Sequence, residues 1–77
     1  MYVYVIANNE NRLYVGMSEC PEKRLQEHNS GKTKSTKGYM PWKIIYIQEC
    51  KNRAEARVVE KYWKSGNGKK KLKTMTE

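Results

Sequence analysis

The chain of 77 residues is long enough for one domain with a modest core. No apolar run approaches the roughly 20 residues that cross a bilayer, and the start, Met1-Tyr2-Val3-Tyr4, has no basic stretch leading into a hydrophobic one; a cytoplasmic protein with no membrane partner is expected. Lysine and arginine number 16 against 8 acids, a formal charge of +8, which points to a polyanionic partner and excludes little else.

A basic soluble surface or a ribosome-like RNA binder would share that charge. Cys20 and Cys50 lack a CxxC spacing and are read as reduced. With one histidine they are too few for a structural zinc site.

Residues 2–7, Tyr-Val-Tyr-Val-Ile-Ala, are β-branched and aromatic and predict a strand. Asn8-Asn9-Glu10-Asn11 is turn material, because asparagine tolerates left-handed backbone. Residues 12–17 predict a second, antiparallel strand. Alternation gives one face to Val3, Val5, Ala7, Leu13, Val15 and Met17. The other receives Tyr2, Tyr4, Ile6, Arg12, Tyr14 and Gly16. Burial holds this register, so Tyr4 and Tyr14 share a face.

Pro21 suits the first turn of a helix that runs to about Asn29, with Gly31 as its stop and Leu25 as its main apolar anchor. Residues 30–41 form a basic loop carrying Lys32, Lys34 and Lys37. Residues 43–49 predict a third strand, apolar on both faces at its start and therefore placed centrally. Asn52 and Glu55 resemble a capping box opening a second helix that stops at Gly66. Its stripe is Ala56, Val59 and Trp63. The lysines beyond it, Lys69, Lys70, Lys71 and Lys73, predict a flexible tail over residues 67–77. The reading is an α+β domain over residues 1–66, a small three-stranded antiparallel sheet flanked by helices.

Several residues on this frame can carry chemistry. Glu60 takes the remaining position of the apolar stripe, where an unpaired carboxylate is costly. Pairing with Arg57 or Lys64 would account for it. So would a metal, since magnesium is held by one carboxylate with phosphate oxygens and water. Arg24 and His28 are neighbours on one helix face. They form either a solvated surface or an arginine that clamps phosphate beside a histidine that orients the nucleophile. Tyr4 and Tyr14 are cross-strand packing or groups that position or deprotonate water. A phenol needs nearby cations for the latter. Gly16 leaves room for a backbone phosphate or marks a bulge.

The order of these features is more specific than any one of them. Tyr2-Val3-Tyr4, then Tyr14-Val15-Gly16, then Arg24 with His28-Asn29, and then Glu60 resemble the GIY-YIG nuclease superfamily. Tyr2 stands where the first motif has glycine, and Val3 and Val15 stand where the motifs have isoleucine. Lys23 through Lys32, Pro41 through Tyr46 and Glu55 through Lys61 continue the similarity. It is to the small stand-alone bacterial branch, which resembles the N-terminal nuclease domain of the excision-repair incision subunit.

The resemblance implies a GIY-YIG-type sandwich and metal-dependent hydrolysis of phosphodiesters in DNA, for repair or structure-specific processing. Branched or damaged DNA are the expected partners, with RNA as an alternative and no small-molecule cofactor. Tyr4 would be the base or water-orienting group, and Tyr14 would support the nucleophile or phosphate. Arg24 would stabilise phosphate charge, His28 would assist at the nucleophile, and Glu60 would hold Mg2+ or Mn2+. Gly16, Lys32, Lys34, Lys37 and Lys64 would contact nucleic acid. The competing reading is a catalytically weak nucleic-acid-binding module that retains the nuclease fold.

Overall fold

A computed structural model of the chain describes residues 1–34 and 36–76. Ser35 of the basic loop and Glu77 of the lysine-rich tail lie outside the described residues. Three strands form one antiparallel sheet: β1 (Tyr2–Ala7), β2 (Leu13–Ser18) and β3 (Lys43–Glu49), in the order β2-β1-β3. Helix α1 (Pro21–Asn29) follows β2, and α2 (Arg53–Lys64) and α3 (Gly66–Thr76) follow β3. No described helix is long and apolar enough to cross a membrane.

The hairpin register pairs Val3 with Met17, Val5 with Val15 and Ala7 with Leu13. The aliphatic set therefore shares one face, as alternation predicts. The turn is closed by Asn8, whose side-chain oxygen accepts from the backbone N–H groups of Glu10 (3.0 Å) and Arg12 (2.8 Å). Asn11 takes the left-handed conformation, with φ 62°.

The central strand is β1, not β3. Residues Val3 to Ala7 are buried without interruption, so β1 is covered on both faces and paired on both edges. In β3 the apolar run is interrupted by exposure at Lys43, Ile47 and Glu49, and one edge faces away from the sheet. Apolar content at the start of a strand cannot distinguish these cases, because an edge strand can also be covered on both faces.

Two cores lie on opposite sides of the sheet. Val3, Val5 and Val15 pack with Cys50, Ala56, Trp63 and Leu72, so α2 and α3 cover the aliphatic face. Tyr4 and Ile6 pack with Trp42, Tyr14, Leu25 and Ile44, so α1 covers the tyrosine face. Helix α2 starts at Asn52, whose side chain accepts from the Glu55 N–H at 2.9 Å.

The tail is a correction to the sequence reading. Residues expected to be flexible form α3, and Leu72 is wholly buried in the aliphatic core. Burial of one leucine is worth about 2 kcal/mol, enough to anchor a short helix whose neighbours are lysines. Gly68 permits the tight return from α2. A Cβ there would collide with the Tyr62 carbonyl oxygen and with Trp63 Cα, at 2.7 Å. Ser65 begins the helix by accepting the Gly68 N–H on its hydroxyl at 3.2 Å.

Candidate functional site

On the tyrosine face, Tyr4 lies opposite Gly16. A Cβ built on Gly16 would stand 2.6 Å from the Tyr4 hydroxyl oxygen and 3.1 Å from Tyr14. The missing side chain thus makes room for the two tyrosine rings. This corrects the reading of Gly16 as a place for phosphate to approach, since that space is filled and Gly16 is buried.

Helix α1 lays His28 against the tyrosines. The helix ends with a positive φ of 81° at Gly31, and the Lys32 and Gly31 N–H groups donate to the carbonyls of Glu27 (3.3 Å) and His28 (3.5 Å). That Schellman closure turns the chain back over the sheet. His28 Nε2 lies 2.9 Å from the Tyr4 hydroxyl and Nδ1 lies 2.8 Å from Thr36 Oγ1. The Tyr14 and His28 rings pack with centroids 4.9 Å apart, and those of Tyr4 and Tyr14 are 6.5 Å apart.

His28 is 0 % exposed. It therefore reaches substrate only through its partners, and the simple picture of a solvent-facing Arg24–His28 pair does not hold. Burial, and then the charge of Arg24, push the imidazole below its ordinary value and keep it neutral. Burial raises the Tyr4 phenol, while the hydrogen-bonding guanidinium of Arg24 pulls the other way and loses. The cation that a basic tyrosine requires is present, yet desolvation outweighs it.

Arg24 is the member of the group that reaches solvent, with 35 % of its side chain exposed. One guanidinium nitrogen donates to Glu27 at 3.3 and 3.5 Å. Hydrogen bonding to Tyr4 is the main influence holding Arg24 in its charged form. Beside it opens a cavity of about 450 Å³ lined by Lys23 and Arg53, with Met1 and Met17. Tyr14 is partly buried.

Glu60 stands apart from this group. It lies on α2, which covers the other face, and its carboxylate is 3.6 Å from Lys64 Nζ. The side chain is 22 % exposed, on the shoulder of the Ala56–Val59–Trp63 stripe. The ion pair accounts for its position on this stripe. Lys64 is thereby engaged with Glu60. Among the described residues no three His, Cys, Asp or Glu side chains converge as a metal cage. One carboxylate with a single, flexible lysine partner still matches a magnesium site completed by phosphate oxygens and water. Lys32, Lys34 and Lys37 are exposed on the loop that leaves α1.

Sequence reasoning missed the groups that fix this loop. Thr36 and Trp42 are buried beneath it. Asn29 Oδ1 accepts from the Trp42 backbone N–H at 2.6 Å, and Asn29 Nδ2 donates to the Trp42 carbonyl at 3.0 Å. Asn8 Nδ2 donates to the Tyr39 carbonyl at 3.1 Å, and Arg12 covers the Tyr39 ring at 4.0 Å. A lone threonine among lysines carries no sequence signal for burial. A hydrophobic tryptophan next to a proline does carry a weak one.

The family model for the GIY-YIG catalytic domain matches residues 1–73. A UPF0213 protein of Clostridium perfringens is 34 % identical over 76 residues, covering 97 % of this chain and 82 % of the relative. One from Bacillus licheniformis is 35 % identical over 77 residues, covering 99 % and 79 %. The solution NMR structure of a UPF0213 protein from Bacillus halodurans superposes with a TM-score of 0.56 at 27 % identity, covering 96 % of this chain and 82 % of that one. Motif order, sheet topology and these matches agree, and the chain belongs to the GIY-YIG family, a nuclease-type family.

Proposed function

We propose that this domain is an endonuclease that hydrolyses phosphodiester bonds in DNA, including branched or damaged forms. The observation that carries the reading is the convergence of Tyr4, Tyr14, His28 and Arg24 on one face, with Arg24 reaching solvent and Tyr14 partly buried beside it. Attack of water on a phosphate needs positioning and charge neutralisation more than covalent chemistry.

Arg24 binds the non-bridging oxygens and stabilises their added charge in the transition state. Tyr14 directs its hydroxyl beside the same phosphate. A water gives its proton to the Tyr4 oxygen while the Tyr4 proton passes to His28 Nε2, so no free phenolate forms. The water oxygen bonds to phosphorus, the ester oxygen leaves, and that oxygen takes a proton from solvent. Glu60 would hold Mg2+ or Mn2+ in exchange for its ion pair with Lys64. When bound, such an ion supplies charge neutralisation at the phosphate. Lys32, Lys34 and Lys37 attract the flanking strand without reading its sequence.

The burial of Tyr4 and His28 and the Glu60–Lys64 pair favour the second reading, a binding module of weak catalytic power. Cleavage of branched and linear substrates with Mg2+ or Mn2+ separates the two. Glu60→Gln should abolish cleavage and leave affinity nearly intact. Cleavage by that variant at the wild-type rate would remove Glu60 from the metal site.

A further inference from the structure

Among the described residues of the basic loop, one side chain is hidden from solvent. Thr36 is 1 % exposed, although Lys34 and Lys37 beside it are exposed. Its backbone is held from two sides. The Thr36 N–H donates to the Thr33 carbonyl at 3.1 Å, and the Thr36 carbonyl accepts from Trp42 Nε1–H at 3.0 Å and from the Tyr39 N–H at 3.2 Å. Its hydroxyl oxygen touches His28 Nδ1 at 2.8 Å and the Thr33 carbonyl at 3.4 Å.

The Thr33 carbonyl can only accept, so where the Thr36 O–H donates to it the Thr36 oxygen is left to accept from His28 Nδ1–H, and the Tyr4 end selects this arrangement. A neutral imidazole has one N–H, so Nε2 is left as an acceptor. The other end of the chain requires the same. The buried Tyr4 hydroxyl has His28 Nε2, at 2.9 Å, as its hydrogen-bond partner, and the neighbouring guanidinium of Arg24 offers donors alone. If Nε2 carried a proton, the Tyr4 O–H would lack an acceptor among these partners. The donors therefore run one way, from Tyr4 to His28 to Thr36 to the Thr33 carbonyl.

We propose that Thr36 is a positioning residue: its hydroxyl holds His28 in the Nδ1–H tautomer, so that bare Nε2 faces the Tyr4 hydroxyl. The consequence for reaction rate rests on the nuclease reading above; the tautomer does not. The loop then has a second use besides attracting phosphate, because the turn that presents Lys34 and Lys37 also sets the acceptor behind Tyr4.

His28 is the chain's one histidine, so its ring nitrogens can be observed by 15N NMR without assignment ambiguity. At pH 8 the wild type and Thr36→Ser should both show protonated Nδ1 and bare Nε2. Thr36→Val, which keeps the shape and removes the hydroxyl, should lose that preference. Its single-turnover cleavage should fall on the order of tenfold or more, with Thr36→Ser restoring it. A wild-type spectrum with protonated Nε2 overturns the proposal, whether or not the valine variant folds. So does a folded Thr36→Val protein whose tautomer matches the wild type. If the spectra are as expected and the wild type cuts nothing, the tautomer assignment stands and the nuclease reading falls.

Discussion

The two faces of the sheet use the same strand for opposite ends. On one side Val3 and Val5 meet Ala56, Trp63 and Leu72, and the contact is apolar apart from the Trp63 indole N–H, which is buried without a hydrogen-bond partner. On the other, Tyr4 sits one residue along the strand and is joined to His28 and, through it, to Thr36. The aliphatic face gains stability from area removed from water and tolerates modest changes of shape. The tyrosine face buries polar atoms that must all find partners, and it gains a fixed orientation in return. Apart from Glu60 on α2, the groups assigned to chemistry are separated from the packing side chains by a single alternation of β1.

Substitution at Arg24 gives the largest expected separation. Arg24→Ala should lower the single-turnover rate with saturating enzyme by on the order of a hundredfold or more, with little change in thermal midpoint. Arg24→Lys should also be slow, because lysine lacks the planar fork that holds two oxygens. Rates near wild type in both variants would reduce the tyrosine face to packing.

Leu72→Ala tests the other face. Loss of a wholly buried side chain should cost about 2–5 kcal/mol in chemical denaturation. The rate of the folded fraction should be unchanged. A loss below about 0.5 kcal/mol would mean that α3 contributes no more than a surface substitution.

The smallest effects belong to the loop lysines. Each of Lys32→Ala, Lys34→Ala and Lys37→Ala should reduce the slope of log affinity against log salt by roughly one. Unchanged slopes in all three would place the strand elsewhere on the protein.

Much of this division was legible in the residues. Alternation in 2–7 and 12–17 separates the aliphatic set from Tyr4 and Tyr14, because a strand has a strict period of two. Arg24 and His28 fall on one helix face for a similar reason. Periodicity does not report depth. It gives no means of telling that His28 is wholly buried while Arg24, one turn away, meets solvent. The place of β3 at an edge depends on strand pairing, which composition does not encode. Helix α3 was obscured because glycines and lysines outweigh Leu72, its one apolar anchor with a described side chain. Thr36 was invisible because its burial is produced by Trp42 and Asn29, distant from it in kind though near in sequence.

The central claim is that Tyr4 and His28 act as a neutral pair. Burial and Arg24 lower the imidazole from its ordinary 6.5, so it charges only as pH falls below that value. Burial raises the phenol from 10.0, so it loses its proton only above that value. The single-turnover cleavage rate of the wild type, measured against pH at saturating enzyme, tests this most directly. The account predicts a rise whose midpoint lies below pH 6.5, a fall whose midpoint lies above pH 10, and a plateau between them. A rate that keeps climbing by tenfold per pH unit through the alkaline range would make a phenolate the base and contradict the neutral pair.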